Sequence, residues 1–197
     1  MTESNVKCRC HWPGTDAIYC AYHDEEWGVP EYDSRALWEK LVLDGFQAGL
    51  SWITILRKRE ALRTAFCNFD LDKVARFDEV DVARLMNDSG IIRSNAKIRA
   101  AIDSAKITLD LREKGLDFTD LIWAAQDHRP VMNHFDDKAQ VPAETEASRQ
   151  LSKLLKSKGY KFCGPVIVYA FMQAVGMVND HIVTCFRHSE IKELVER

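Results

Sequence analysis

Three observations predict an all-α fold for this chain. Apolar residues recur at helical spacing along most of its length, two-residue alternation is scarce, and a glycine, a proline or a capping side chain punctuates the periodic segments. Asp33 or Ser34 can cap a helix carrying Leu37, Leu41 and Val42, up to an interruption between Gly45 and Gly49. Ser51 can cap another, with Ile53 and Leu56 on one face, continuing through Leu62 and Phe66. A short segment from Asp81 carries Val82, Leu85 and Met86, and Gly90 is placed to end it in the left-handed conformation. Ser94 or Asn95 opens the next, where Ile98, Ile102, Ala105 and Leu109 share a face until Gly115. Thr119 starts a short helix through Trp123, and the stretch from Pro130 to Pro142 reads as a connection. A basic amphipathic helix covers roughly Glu144 to Ser157, followed by Gly159. Pro165 stands in the first turn of VIVYAFMQAV, which is apolar on nearly every side and so predicts a buried central helix, ended by Gly176. After Cys185 the tail HSEIKELVER reads as one more short helix.

The 197 residues suffice for one substantial core or two small lobes, and 46% hydrophobic with 29% charged residues is an ordinary globular balance. No apolar stretch is long enough to cross a bilayer, and the first residues lack the apolar core of a secretory signal. The expected location is the cytoplasm, with no membrane partner; reduced cysteines there favour metal ligation or burial over disulfides. A net charge of −3 does not announce a nucleic-acid binder, yet basic groups cluster at 57–63, 90–107 and 149–161. Most such runs are solvated helix faces. The turn Gly90-Ile91-Ile92-Arg93 between two helices offers more: its backbone N–H groups and the following helix N-terminus suit a DNA phosphate, with Arg93 and Lys97 alongside.

Cys10 and His23 near one end, and His181 and Cys185 near the other, have the chemistry of one tetrahedral zinc site. The second pair stands at i and i+4, which puts both on one face of a helical turn. Four ligands would make the metal structural, clasping the two ends of the chain. By spacing alone Cys8 and His11 compete for the ligand role, and unliganded cysteines and histidines are common.

All but one of the tryptophans fall in the first 52 residues, with Tyr19 and Tyr22 among them. Trp38, beside Leu37 and Leu41, is expected in the core. Trp12, Tyr19, Tyr22, Trp27 and Trp52 fall in loop or helix-edge segments, where rings can stack on a planar ligand, at about 1–3 kcal/mol per base. Asp44 interrupts the apolar run LVLDGFQAGLSW, facing either solvent or a cavity.

Taken together, YHDEEWGVP (22–30), LDGFQAGLSWITILRKRE (43–60), GIIRSNAKI (90–98), KFCGP (161–165), FMQAVGMVNDH (171–181) and Cys185 closely resemble the type I DNA-3-methyladenine glycosylases, over most of the chain. The resemblance implies a helix-hairpin-helix glycosylase fold with a helical lobe at 33–125 and a zinc-clasped lobe formed by 1–32 and 126–197. It implies one structural Zn2+ on Cys10, His23, His181 and Cys185, choosing Cys10 over Cys8 because Trp12 follows two residues later. The implied activity is flipping and hydrolytic excision of 3-methyladenine from double-stranded alkylated DNA in base excision repair, by a monomer. Catalytic roles fall to Asp44, Tyr22 and Trp52, and base binding to the same three with Trp12 and Tyr19. Leu50 is the implied wedge, and Gly90, Ile91, Ile92, Arg93 and Lys97 the implied DNA contacts. The family usually carries glutamate where this chain has Asp44, one methylene shorter. No catalytic lysine is read beside the hairpin, which predicts an abasic product without strand cleavage. A non-catalytic binder of alkylated DNA is the alternative. A zinc nucleobase deaminase is weaker still, since His23-Asp24-Glu25 supplies only half of its signature.

Overall fold

The computed structural model describes residues 7–196 and is helical, as expected. Its helices are α1 (Ala17–Glu25), α2 (Ser34–Gln47), α3 (Trp52–Ala65), α4 (Leu71–Val74), α5 (Glu79–Asn87), α6 (Asn95–Glu113), α7 (Phe118–Trp123), α8 (Glu146–Lys158), α9 (Pro165–Ala174) and α10 (Phe186–Val195). A two-residue parallel pair, β1 (Val131–Met132) with β2 (Val178–Asn179), ties the 130–142 connection to the segment after α9. That pairing is absent from the periodicity because strands this short have none.

Local chemistry explains most boundaries. Asp33, Ser94 and Thr145 cap α2, α6 and α8 by accepting backbone N–H bonds from Ala36, Lys97 and Ser148. Pro165 opens α9, and Gly159 ends α8 at a φ of +102°. Four expectations need correction. First, α1 lies in the stretch before Asp33, read only as loop or helix edge; capped by Asp16, its AIYCAYHDE carries no clear apolar stripe, so tertiary contacts rather than pattern hold it. Second, α2 runs through Gly45 to Gln47. Third, α5 starts at Glu79, boxed by Asp78 and Asp81, and ends before Asp88. Gly90 is not left-handed there. A Cβ on it would lie 2.9 Å from Asp88 Oδ1 and 3.2 Å from Ala61 Cβ, so close approach of the backbone is what requires glycine. Fourth, His181 and Cys185 stand in a turn leading into α10, closed by the Cys185 N–H donating to Ile182 O (2.8 Å), and not on a helical face.

One continuous apolar core joins α2, α3, α6, α7, α8 and α9, with Trp38, Phe46, Trp123 and Tyr169 among its largest buried side chains. Trp38 is in it as expected, its indole N–H donating to Ser104 Oγ at 3.0 Å. The core places the end of α2, the start of α3 and the flank of α9 around one cavity. Gly176 lets the chain after α9 press on 28–30: any Cβ there would meet Val29 C and Pro30 N at 2.4 Å.

Candidate functional site

Cys10, His23, His181 and Cys185 converge in the fold. All four are buried, and their ligand atoms lie within 4.8 Å of one another. Cys185 Sγ is 3.5 Å from both His23 Nε2 and His181 Nδ1, and Cys10 Sγ is 3.6 Å from His181 Nδ1. Bonds of about 2.3 Å to sulfur and about 2.0 Å to nitrogen would set tetrahedral ligand atoms about 3.5 Å apart, so the donors fit such a cation. The outer contacts fit as well. His23 Nδ1 faces Asp24 Oδ1 at 2.8 Å, and Arg9 holds that carboxylate through two nitrogens. His181 Nε2 lies 3.0 Å from Trp27 O. Each ring thus turns its other nitrogen inward, the arrangement that orients metal-bound imidazoles. Gly28, at a φ of +85°, leaves the room: a Cβ would come within 3.0 Å of His181 Nε2. The hydrogen bond between the two thiols pulls Cys185 down and pushes Cys10 up, as expected of two sulfurs crowded around one charge. Cys8 is exposed and outside the cluster.

The clasp and a neighbouring cavity share their walls. Tyr22 precedes His23, Trp12 follows Cys10 by two, and the Trp12 ring sits 5.2 Å from that of His23. The cavity, about 500 Å³, is bounded by Trp12, Tyr19, Tyr22, Trp27, Asp44 and Trp52, among others. Trp12 meets Tyr19 and Trp27 edge-on at 4.7 and 5.2 Å, and Tyr22 tilts against Trp52 at 5.4 Å. All five expected catalytic and base-binding residues therefore meet here.

Asp44 is the anomaly. It is 1% exposed, in the last turn of α2, where burial and the helix dipole both oppose a negative charge. Burial pushes its carboxyl above the ordinary aspartate value, against the pull of Lys40. Lys40 donates to its Oδ1 at 2.5 Å, while its buried Oδ2 has no partner among the described residues. The buried indole N–H of Trp52 lacks a partner among them too. Unpaired buried groups of this kind cost about 1–3 kcal/mol each, so an open acceptor and an open donor on two residues that line one cavity mark a place for a ligand. Burial together with Asp44 also holds the Tyr22 phenol well above its usual range, so it stays protonated.

The turn expected to meet DNA joins α5 to α6. Arg93 is exposed, Ile92 half-buried, and Ile91 buried. Lys58 closes the turn by donating to the carbonyls of Ser89 (3.2 Å) and Gly90 (2.9 Å). Lys97 lies elsewhere than expected: its ammonium donates to Phe46 O (2.9 Å) and Ala48 O (2.6 Å), the free carbonyls at the end of α2. It thereby braces the 48–51 turn, where Leu50 is 42% exposed and Gly49 has a φ of +80°. Much of the other basic charge is spent on ion pairs, Arg59 with Glu26, Arg63 with Glu39, Arg99 with Glu79, Arg149 with Glu144 and Lys161 with Asp103.

Sequence reasoning missed four polar residues of the cavity. Lys40 stands four residues before Asp44, and that helical spacing was the available signal. Asp180 is buried, accepting from Tyr169 (2.7 Å), Gln173 (2.8 Å) and Asn133 (2.7 Å). Tyr169 and Gln173 share a face of α9 at i and i+4, but nothing local in the sequence brings Asp180, beyond the helix end, to them.

The sequence model of the family described as Methyladenine glycosylase matches residues 12–188. DNA-3-methyladenine glycosylase 1 of Escherichia coli (strain K12) is 50% identical over 177 residues, covering 90% of this chain and 95% of that protein. A crystal structure of 3-methyladenine DNA glycosylase I superimposes with a TM-score of 0.90 at 48% identity, covering 91% of this chain and 98% of that one. A variant of 3-methyladenine DNA glycosylase I solved in complex with 3-methyladenine gives a TM-score of 0.87 at 35% identity, covering 90% and 96%.

Proposed function

The chain belongs to the methyladenine glycosylase family, and from that premise we propose that it is a monofunctional DNA N-glycosylase excising 3-methyladenine from alkylated duplex DNA in base excision repair. The observation that carries the reading is Asp44, buried at an aromatic cavity with one carboxylate oxygen unpaired among the described residues. Methylation at N3 makes adenine in DNA a cation. A cavity of rings with one carboxylate favours that cation over neutral adenine. When the C1′–N9 bond breaks, its electron pair stays with the base, which departs neutral, and the positive charge passes to the sugar. Water then adds at C1′ and loses a proton, leaving an abasic site. No strong general acid is required.

In this reading Trp52 and Trp12 stack on the extruded base, Tyr19 and Tyr22 shape the slot, and Asp44 accepts hydrogen bonds from the base edge. Leu50 fills the gap left in the duplex, on a turn that Lys97 braces. Gly90 to Arg93 hold the backbone, and the 33–125 lobe grips DNA against the clasped lobe of the two chain ends, of which residues 1–6 and 197 lie outside the described residues. The cation on the clasp is Zn2+, and four protein ligands leave it a structural role, fixing the aromatic wall. The protein acts as a cytoplasmic monomer.

Incubation with methylated duplex DNA, followed by chromatography of the released bases, tests this. Free 3-methyladenine, intact strands until alkali is added and no borohydride-trapped adduct are expected. Retention of DNA without product would mean a binder, and formation of inosine or uracil a deaminase.

A further inference from the structure

The subsite that should hold a cationic base already holds a cation of the protein itself. Lys40 Nζ lies 4.0 Å from the centre of the Trp52 ring and 2.5 Å from Asp44 Oδ1. An aromatic face and a carboxylate are the two features that would recognise a charged purine, and one ammonium meets both. We propose that Lys40 is a resident stand-in for the damaged base, a specificity-determining residue that an extruded purine must displace before it can be cut. The inference rests on the functional reading above and deepens it. A neutral purine brings nothing to replace the ammonium's charge beside Asp44. A methylated, cationic purine restores the pair that it breaks.

The fold gives the displaced side chain somewhere to go. Lys40, Tyr22 and Trp52 also line a second cavity of about 390 Å³, whose acids include Glu26 and Glu39. Those acids are paired with Arg59, and with Arg35 and Arg63. Lys40 therefore stands in the wall between the two cavities, and a rotation about its own side chain moves the ammonium from one to the other. Its side chain is 14% exposed, and burial pulls its basicity below that of an ordinary lysine, opposed by Asp44, which lowers the cost of leaving its partner.

Two measurements test the displacement. The probe for affinity is 3,9-dimethyladeninium, a fixed cation whose N9 methyl stands for the sugar, titrated by tryptophan fluorescence. Lys40→Gln keeps a hydrogen-bond donor beside Asp44 without the charge and is expected to bind the probe about tenfold more tightly than the unaltered chain. Lys40→Arg, which keeps the charge, is expected to stay within about twofold of it. Equal or weaker binding by Lys40→Gln would overturn the proposal. The second measurement needs no variant. In protein carrying 13C-labelled lysine, the Lys40 ε-CH2 protons should be shifted upfield by the Trp52 ring and return toward ordinary values as the probe saturates. An ε-CH2 signal that stays shifted at saturation would refute displacement while leaving the glycosylase reading intact. Failure of the unaltered chain both to bind the probe and to release 3-methyladenine from DNA would instead bring down that reading, and this inference with it.

Discussion

The clasp of Cys10, His23, His181 and Cys185 and the cavity around Asp44 are neighbours, both buried and both polar, yet they differ in how their polar atoms are paired. In the clasp every donor has a place: each histidine has its second nitrogen held by Asp24 or by Trp27 O, and Arg9 holds Asp24 in turn. In the cavity one oxygen of Asp44 and the indole N–H of Trp52 are buried without partners among the described residues, and the cation paired with the carboxylate, Lys40, is a side chain able to turn away. A closed set of contacts stabilises. An open set waits for a ligand, at a cost in stability that the neighbouring clasp can carry.

The contrast breaks most visibly at the clasp. His181→Ala should abolish stoichiometric metal binding and cost about 3 kcal/mol or more, lowering Tm by roughly 6–12 °C. Metal analysis and thermal unfolding check this, and full metal occupancy in the variant would remove His181 from the ligand set. Asp44→Asn should do the reverse, leaving metal content unchanged while excision falls on the order of 100-fold. Unchanged turnover would take Asp44 out of the reaction.

How far each region was legible follows from the same contrast. The clasp could be proposed from four residue types and their spacing, although the turn that presents His181 and Cys185 was misread as helical. Liganding chemistry is carried by side chains whatever the backbone does. Most helices were legible because caps and apolar periodicity are local. α1 was not, since Ala17–Glu25 owes its place to the ring cluster and the clasp rather than to a stripe of its own. Asp44 stood out as a charge in an apolar run, but only packing could show that it faces a cavity. Lys97 looked like a phosphate contact, and the structure commits it to carbonyls fifty residues away in sequence, about as far as one helical pattern is from knowing of another.

Smaller effects sharpen the comparison. The working form of Asp44 is the carboxylate, and burial raises its pKa, so protonation should extinguish excision at a pH above the ordinary aspartate value of about 3.9. A pH–rate series should show that acid limb in the unaltered chain and lose it in Asp44→Asn; an identical limb in both would assign it to another group. Arg93→Ala touches neither region. It should weaken DNA binding a fewfold at all sequences and flatten the salt dependence by about one phosphate contact. An unaltered salt slope would remove Arg93 from the backbone contacts.

The most direct test of the whole account is a crystal structure of the metal-loaded protein with the fixed cation 3,9-dimethyladeninium. The base should lie stacked on Trp52 with its edge within hydrogen-bond distance of Asp44, and with Lys40 turned toward Glu26 and Glu39. A base bound elsewhere, or a cavity still filled by Lys40 at saturating ligand, would contradict it.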